Sequence, residues 1–406
     1  MQTRRDKLLA ADLFAGAGGL SCGFLQAGNC EVVFANDIDS SAALTYQRNH
    51  GGVRFYSGPI EDLSGDRIKR DTGLRKYDLD VLLGGPPCQG FSIYAPKRET
   101  QDPRNRLFLE YARIVEELAP RFLLMENVPG LLSLDGGGVV DKVYRAFSGL
   151  GYNLHHRVLY APAYGVPQER WRLIFIGARK GEPLPDFPRP THRAPARANF
   201  TGGREWVRLL EGQMSRGMQQ VACLEDAIGD LPSLAVGEGE EEMAYPRAAD
   251  KLTRYQAQMR DGSPCLFNHV APRLSSQNLE RLRFIEPGGS WRDIPFRLLP
   301  AGMKKARRSD HTKRYGRLSP SALACTILTK CDPHWGSFYH YRDDRAITVR
   351  EAARIQSFPD RFRFLGPRVE QYRQVGNAVP PLLAKELAES VYATAVYGVE
   401  ASALVV

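Results

Sequence analysis

The first half of the chain alternates short apolar runs with segments whose apolar residues recur at helical spacing. Apolar runs that end at glycine or at an acid predict buried strands. The predicted strands are LLAADLF (8–14), EVVFAND (31–37), DVLLGG (80–85), RFLLMEN (121–127) and RLIFIGAR (172–179). Helical spacing predicts helices over LSCGFLQAG (20–28) and LFLEYARIVEELAP (107–120). This alternation predicts an α/β fold with a doubly wound, mainly parallel sheet.

The pattern changes from about residue 181 onward. The stretch EPLPDFPRPTHRAPAR (182–197) is rich in proline, which predicts a linker. The acidic stretch GEGEEE (237–242) predicts an exposed loop. The stretch KKARRSDHTKRYGR (304–317) is strongly basic and, with Tyr315, suits contact with phosphates. A disordered basic linker is the alternative for this last stretch.

Composition narrows the class of protein. The chain has 406 residues, 43% of them hydrophobic and 25% charged, which is typical of a soluble globular protein with two lobes. Its formal charge of +9 suits a polyanionic partner but does not identify one. The N-terminus lacks the apolar core of a signal peptide, and no apolar run is long enough to span a bilayer. We therefore expect a cytoplasmic protein with no membrane association.

Cysteine usage argues against disulfides and against a metal site. The seven cysteines form no CxxC pair, which fits a reducing compartment. Cys325, Cys331, His334 and His340 follow no familiar zinc spacing, so we expect no metal.

The most informative stretch is VLLGGPPCQGFS (81–92). Gly-Gly-Pro-Pro ends the predicted strand abruptly and leaves Cys88 at the mouth of the sheet, on a backbone with little freedom. Open α/β sheets place their chemistry at this edge. The position favours a nucleophilic cysteine over the alternative, a buried structural thiol.

A glycine turn, residues 15–19, separates the first predicted strand from the first helix. The second strand ends at Asp37, whose carboxylate can accept hydrogen bonds from ribose hydroxyls. This order of strand, glycine turn, helix, strand and acid predicts a nucleoside-cofactor site. A tight turn without a ligand is the alternative.

Polar groups also lie at the ends of two other predicted strands, at the edge of the sheet where Cys88 lies. Glu126 ends one strand, and Gln168, Arg170 and Arg172 surround the start of another. A carboxylate in this place can also be a helix cap or a surface acid. With Cys88 at a neighbouring strand end, we expect one shared site.

Seven blocks occur in the order found in one enzyme family. They are DLFAGAGGL (12–20), Asp37, GGPPCQGFS (84–92), ENVPG (126–130), QERWRLIFIG (168–177), RAITVREAARIQSFPD (345–360) and QVGNAVPP (374–381). Over these blocks, which lie in the first 180 residues and the last 60 or so, the chain resembles DNA (cytosine-5) methyltransferases of the bacterial restriction–modification type. The resemblance implies a Rossmann-like catalytic domain and a second, smaller target-recognition domain.

The resemblance implies S-adenosylmethionine as cofactor and S-adenosylhomocysteine as product. The positions that match the family's cofactor pocket are Phe14, Ala15, Gly16, Gly18, Gly19, Leu20, Asp37, Ile38, Ile60, Pro86, Leu107, Asn377 and Ala378. Relatives often have Glu in place of Asp37, and they usually have an Asp where this chain has Pro59. Either Glu61 or Asp62 replaces that acid, or the affinity for the cofactor is lower.

The resemblance also implies a mechanism. Cys88 would attack cytosine C6, Glu126 would stabilise charge at N3, and Arg172 would hold O2, with Arg170 and Gln168 in support. The cytosine must leave the duplex for this attack. The basic segment 92–106 would close on the DNA, or is an ordinary solvated loop. The expected DNA contacts are Gln89, Ser92, Tyr94, Lys97, Arg98, Lys304, Lys305, Arg307 and Arg308.

These expectations define the domains and partners. Residues 1–182 and 370–406 would form the catalytic domain, closed by a helix over 382–396, and residues 183–369 would form the target-recognition domain. We expect a monomer that acts on double-stranded DNA and associates with the bacterial nucleoid. It would either belong to a restriction–modification system with a separate cognate endonuclease or be an orphan modification enzyme. The alternatives are an RNA (tRNA) cytosine-5 methyltransferase and a DNA-binding protein without catalysis.

Overall fold

The computed structural model describes residues 6–87, 107–198, 200–246, 251–307, 309–310 and 313–398. The strands are β1 (Leu8–Leu13), β2 (Cys30–Asp37), β3 (Arg54–Ser57), β4 (Val81–Gly84), β5 (Phe122–Asn127), β6 (Tyr152–Tyr160), β7 (Trp171–Arg179), β8 (His192–Arg193), β9 (Gln219–Gln220), β10 (Gly239–Met243), β11 (Leu266–Val270), β12 (Gly316–Arg317) and β13 (Ser337–Tyr339). The helices are α1 (Gly19–Gln26), α2 (Ser40–Asn49), α3 (Gly65–Thr72), α4 (Leu107–Leu118), α5 (Gly138–Gly149), α6 (Gly203–Gln213), α7 (Leu224–Ile228), α8 (Arg254–Arg260), α9 (Ser276–Leu282), α10 (Val349–Ile355), α11 (Arg368–Asn377) and α12 (Pro381–Tyr397).

A seven-stranded sheet has the order β3-β2-β1-β4-β5-β7-β6. The neighbours from β3 to β5 pair in parallel, whereas β7 runs antiparallel to both β5 and β6. The predicted α/β, mainly parallel fold is confirmed. Strand order reverses between β1 and β4, and such a switch point is where open sheets bind ligands. Because β7 is antiparallel, its first residues lie at the edge where β5 ends.

The sheet forms because its strands are apolar on both faces. Val81, Leu82 and Leu83 of β4 are fully buried, as expected for a strand covered by helices on both sides. Gly23 of α1 packs against α12 so closely that a Cβ atom there would lie 2.4 Å from the Cβ of Ala384. The predicted C-terminal helix therefore covers the helix that follows the glycine turn.

The chain divides into two compact units. Unit 1 comprises Met1–Gly165, Trp171–Gln220 and Val379–Val406, and unit 2 comprises Val166–Arg170 and Val221–Ala378. The proline-rich stretch 182–197 belongs to unit 1 and packs there, so its prediction as a linker was wrong. The hydroxyls of Tyr160 and Tyr164 donate to the carbonyls of Pro195 and Pro188, each at 3.0 Å.

Unit 2 contains little regular structure. One core cluster joins side chains from 282–303 with Tyr315 and Tyr339. The acidic stretch 237–242 was predicted as a loop, but Gly239–Met243 forms β10, which pairs antiparallel with β11. The strand was missed because its side chains are exposed and acidic, so it has no alternating apolar pattern.

No helix in the described parts of the chain has both the length and the apolar character needed to cross a bilayer.

Candidate active site

The glycine turn lies between β1 and α1 and is tied to the acid at the end of β2. Gly16 N–H donates to Asp37 Oδ2 at 2.7 Å, and Asp39 N–H donates to Oδ1 at 2.8 Å. Gly16 and Gly18 have φ of 54° and 91°, which favour glycine. Burial raises the pKa of Asp37, although these two backbone bonds oppose the shift. Asp37 therefore fixes the glycine turn at the edge of the sheet where the parallel strands β1 and β2 end.

A buried polar cluster lies beneath the turn. Ser21 Oγ donates to Asp12 Oδ2 at 2.6 Å and lies 2.7 Å from the hydroxyl of Tyr46. Burial raises the pKa of Asp12 to about 7. A Cβ atom at Gly18 would lie 2.4 Å from the ring of His50. Asp12, the first residue of the DLFAGAGGL block, thus lies in a close-packed buried cluster, and nothing in the sequence indicated a role for it.

The edge above the turn fits the nucleoside part of S-adenosylmethionine. Cβ atoms built at Gly16 or Gly58 would meet nothing within 4 Å, so both backbones face open space. Ile38 is 72% exposed, although isoleucine normally packs. An acid, two open glycines and an exposed aliphatic side chain are what a ribose and a flat base require.

The predicted adenine side of this edge is the turn that follows β3. Pro59 is exposed and precedes a single 3-10 turn, Ile60–Asp62, in which Ile60 is buried. Glu61 and Asp62 are both exposed. The replacement of the usual acid by one of these two residues stays a prediction.

The end of β5 carries the second charged group. Glu126 Oε1 lies 2.6 Å from Arg172 Nε of β7, and both side chains are 12% exposed. A Cβ atom at Gly85 would lie 3.4 Å from Glu126 Oε2, and Asn127 Nδ2 donates to the carbonyl of Pro86 at 3.1 Å. Glu126 thus lies beside, and Asn127 contacts, the segment that leads directly to Cys88. Burial lowers the pKa of Arg172, and Glu126 opposes that shift.

Gln168 and Arg170 belong to unit 2, where both are buried. Arg170 donates to the carbonyls of Ile327, Gly376 and Ala378 at 3.1, 2.8 and 3.0 Å. Gln168 accepts from the amide of Ile327 at 2.8 Å and donates to the Gln356 side chain. These contacts make them structural residues of unit 2, and their support of catalysis stays a prediction.

The remaining predicted residues are distributed as follows. Phe14 has φ of 55°, and Ala15 N–H donates to the carbonyl of Asn36 at 3.0 Å. Gly19 and Leu20 begin α1, Leu107 begins α4, and Asn377 is the exposed last residue of α11 in unit 2. Lys304, Lys305 and Arg307 are exposed. Cys88, Gln89, Ser92, Tyr94, Lys97, Arg98 and Arg308 lie outside the described residues.

Within the described ranges, no group of three or more His, Cys, Asp or Glu residues could hold a metal ion. His340 instead accepts from the amide of Asp343 at 2.9 Å, and burial lowers its pKa to about 4.

Comparison with known proteins identifies the family. The chain matches the family described as C-5 cytosine-specific DNA methylase over residues 9–393. It is 35% identical to Type II methyltransferase M.AgeI of Thalassovita gelatinovora, over 94% of this chain and 98% of that protein. It is also 35% identical to Type II methyltransferase M.DdeI of Desulfomicrobium norvegicum, over 94% of this chain and 87% of that protein.

A solved structure is also similar. It is a putative DNA modification methyltransferase encoded within an E. coli prophage, with 26% identity and a TM-score of 0.71 over 95% of this chain and 99% of that chain. These matches confirm the resemblance that the seven blocks indicate. The chain belongs to the C-5 cytosine-specific DNA methylase family, whose members depend on S-adenosylmethionine.

Proposed function

We propose that this protein methylates C5 of a cytosine extruded from a specific duplex DNA sequence, through a covalent bond from Cys88 to C6. The observation that carries the proposal is the Glu126–Arg172 pair at the end of β5. Glu126 lies beside Gly85, where a Cβ atom would be 3.4 Å from Oε2, and Gly85 is three residues before Cys88, so an acid paired with a cation lies next to the nucleophile segment.

The chemistry explains why these residue types are needed together. Cytosine C5 is a weak nucleophile until a thiolate adds to C6 and the C5–C6 electron pair moves to C5. The Cys88 thiolate forms this bond, and Glu126 supplies a proton or hydrogen bond at ring N3 where charge develops. When bound, S-adenosylmethionine would supply the methyl group from its sulfonium, and S-adenosylhomocysteine would remain once C5 has taken that methyl group. A water molecule or a side chain then accepts the C5 proton, and the electron pair of that C–H bond restores the C5–C6 double bond as the thiolate leaves C6.

Arg172 has two roles in this proposal. Before the base enters, its guanidinium neutralises Glu126 at 2.6 Å in a site that is 12% exposed. With the base bound, a planar guanidinium can donate to ring O2 while it stays close to the acid. Each charge offsets the desolvation cost of the other at the end of β5, where a single unpaired charge would destabilise the fold.

The cofactor would be held by the glycine turn and the residues around it. Asp37 would accept the ribose hydroxyls, the backbone at Gly16 would face the ligand, and Ile38 would pack against the adenine. Leu107 and Pro86 of unit 1 would complete the pocket, as in the family pattern.

We place the DNA contacts of unit 2 on its basic surface. Residues 276–317 contain eleven Lys and Arg but four Asp and Glu, which is +7 of the chain's +9. Lys304, Lys305 and Arg307 are exposed on this stretch and would contact phosphates. A target must be extruded from the duplex, so Lys97 and Arg98 of segment 92–106 would stabilise the opened DNA.

Two exposed aromatic side chains, which the sequence analysis missed, lie beside these cations. Trp335 is 53% exposed with Arg314 5.1 Å from its ring centroid, and Phe296 is 67% exposed with Lys304 at 5.5 Å. The ring of His334 packs edge-on against Trp335 at 4.9 Å. Exposed aromatic rings held by cations can contact bases, so Trp335 would discriminate between target sequences.

The relatives named above are called Type II methyltransferases. We infer that this protein protects host DNA in a restriction–modification system with a separate cognate endonuclease. It would act as a monomer in the bacterial cytoplasm, on the nucleoid.

One experiment tests the reaction. Duplex DNA carrying 5-fluorocytosine at the target should trap the wild-type protein as a covalent adduct, because fluorine cannot leave C5 as a proton. Cys88→Ser should give no adduct and no transfer of radiolabelled methyl, whereas Cys265→Ser should behave as wild type. An adduct with Cys88→Ser would refute the nucleophile, and transfer to tRNA but not to duplex DNA would refute the substrate.

A further inference from the structure

The turn after β3 is held at both ends. At its start, Gly58 N–H donates to the carbonyl of Asp37 at 3.0 Å. Asn36 Nδ2 donates to the carbonyls of Tyr56 and Gly58 at 2.9 and 3.0 Å. This end of the turn is therefore fixed to β2, next to the acid proposed to bind the ribose.

The other end of the turn is held by one guanidinium. Arg113 Nη2 donates to the carbonyls of Ile60 and Leu63, each at 2.9 Å. Its Nε donates to Glu110 at 2.8 Å and its Nη1 to Glu117 at 2.9 Å. Both acids lie on the same helix as Arg113, at positions i−3 and i+4, so the guanidinium plane is fixed before it meets the turn.

Glu117 extends the contact to α3. Its second carboxylate oxygen accepts from Gly65 N–H, the first residue of that helix. A Cβ atom at Gly65 would lie 2.6 Å from the Cβ of Glu117, so only glycine permits this approach. Arg113 and Glu117 together join α4 to the 3-10 turn and to α3.

The opposite face of α4 holds β4. The hydroxyl of Tyr111 donates to the carbonyl of Leu82 at 2.6 Å, and a Cβ atom at Gly84 would lie 2.6 Å from the Tyr111 ring. One helix thus fixes the turn after β3 and the strand that leads to Cys88. Two residues of α4, Tyr111 and Arg113, make these contacts.

We propose that Arg113 is a positioning residue for S-adenosylmethionine, because it holds turn 58–63 in the shape that the adenine side of the pocket requires. This inference rests on the proposed cofactor site. Pro59 provides no acceptor where relatives have an acid, so affinity on this side depends on packing against Ile60 and on a turn that needs no ordering when the ligand binds. Arg113 supplies that order without contacting the cofactor.

Calorimetric titration of the full-length protein with S-adenosylmethionine tests the inference. Arg113→Met keeps the aliphatic length of the side chain but removes four hydrogen bonds, so the Kd should rise about tenfold. Arg113→Lys should fall between Met and wild type, because an ammonium cannot reach both carbonyls and both acids in one plane. Turnover at saturating cofactor should stay close to wild type, while KM for the cofactor rises.

The matched control is Arg121→Met. Arg121 also joins two acids in unit 1, Asp80 at 3.2 Å and Glu182 at 3.0 Å, and has similar exposure. Its loss should leave the Kd unchanged. Amide hydrogen exchange gives a second measurement that does not depend on turnover. The amides of Leu63 and Gly65 should exchange faster in Arg113→Met than in wild type, and at the wild-type rate in Arg121→Met.

The outcomes separate the inference from the function on which it rests. If wild type fails to bind S-adenosylmethionine, the proposed cofactor site is wrong. If wild type binds and Arg113→Met or Arg113→Lys binds equally tightly, the positioning role is refuted. If the Met variant does not fold, the Lys variant and the exchange of its turn amides decide the question by the same criteria.

Discussion

Units 1 and 2 place their charged side chains in opposite ways. Unit 1 has an apolar sheet, and Asp37, Glu126 and Arg172 gather at one edge of it. In unit 2 the buried interior itself is charged. Among the described residues, the four largest fully buried side chains are Arg170, Arg345, Arg350 and Arg354, all in unit 2.

The difference follows from how each unit satisfies its backbone. In unit 1 the strands pair with each other, so side chains are free for chemistry. Unit 2 consists mostly of loops, whose carbonyls need other donors. Arg350 donates to the carbonyls of Phe267, Pro359 and Phe362, and thereby replaces a strand ladder. The charges that gather at the edge of unit 1 are those proposed to perform chemistry, whereas the buried charges of unit 2 hold the fold.

Loss of a buried arginine should break unit 2. Arg354 is bonded to Asp360 at 2.6 and 2.8 Å, and it also pairs with Asp230. Arg354→Met should lower the free energy of unfolding by about 3 kcal/mol, because Asp360 and Asp230 each lose an ion pair and keep only their contacts with Arg350, Tyr245 and Arg260. Chemical denaturation measures this loss. Arg361→Met, which removes an exposed arginine, should be nearly neutral.

Loss of the edge acid should instead spare the fold. Glu126→Gln keeps the size of the side chain but removes the charge, so kcat should fall about a hundredfold or more. The midpoint of thermal unfolding should fall less than in Arg354→Met, because only one ion pair is lost and the amide oxygen can still accept a hydrogen bond from Arg172. Glu182→Gln, at another ion pair of unit 1, is the control and should keep wild-type kcat. A large loss of stability with Glu126→Gln would remove the contrast between the units.

Asp12 is the exception that sharpens the contrast, since it is the one fully buried carboxyl group in the described part of unit 1. Its folded pKa of about 7 exceeds its ordinary value of 3.8, so the folded state keeps a proton that the unfolded chain loses. The contribution to stability is therefore full below pH 4 and is lost as pH rises towards 7. From pH 5 to pH 7, the free energy of unfolding should fall by about 2 kcal/mol more in wild type than in Asp12→Asn.

The control for this pH dependence is Asp66→Asn. Asp66 is exposed and paired with Lys69, and that hydrogen bond lowers its pKa. Its replacement should leave the fall between pH 5 and pH 7 as in wild type. Equal pH dependence in Asp12→Asn and wild type would contradict the buried protonated acid.

Unit 2 should also carry the sequence discrimination. Trp335→Ala should reduce the preference for the target over a site with one altered base pair by about 1–2 kcal/mol. Binding of S-adenosylmethionine should not change. Competition between the two duplexes in a methyl-transfer assay measures the preference, and Trp206→Ala of unit 1 is the control. An unchanged preference would show that Trp335 does not take part in base recognition.

The smallest effect concerns the adenine side of unit 1. Pro59→Asp introduces the acid that relatives have, so the Kd for S-adenosylmethionine should fall severalfold, about 1 kcal/mol. Calorimetry measures this change, and Pro59→Asn separates charge from shape. No gain with Asp would mean that the turn held by Arg113 already provides what the acid would add.

The sequence predicts what local pattern controls. Val81–Leu83 and Leu123–Met125 are apolar without interruption, and so their strands are visible in the sequence. Asp37 and Glu126 could be placed at one edge, because parallel strands end together. The spacing of Glu110, Arg113 and Glu117 indicates an ion triad on a helix.

The contacts that were missed join residues distant in the chain. The carbonyls that Arg113 binds lie 50 and 53 residues away, and no spacing rule connects them. The proline-rich stretch resembles a linker in composition alone. What holds it in unit 1 are the hydroxyls of Tyr160 and Tyr164, which lie outside the stretch. Its composition cannot reveal donors from elsewhere in the chain.

The contact between Gly23 and Ala384 has a consequence for the order of synthesis. Helix α1 borders the proposed cofactor edge, yet Ala384, which covers it, is translated only after the whole of unit 2. A nascent chain that has emerged only to residue 380 exposes the apolar face of α1, whatever the state of the strands. Unit 1 therefore becomes complete only after unit 2 has been translated, which delays methylation until the residues of both units have been made.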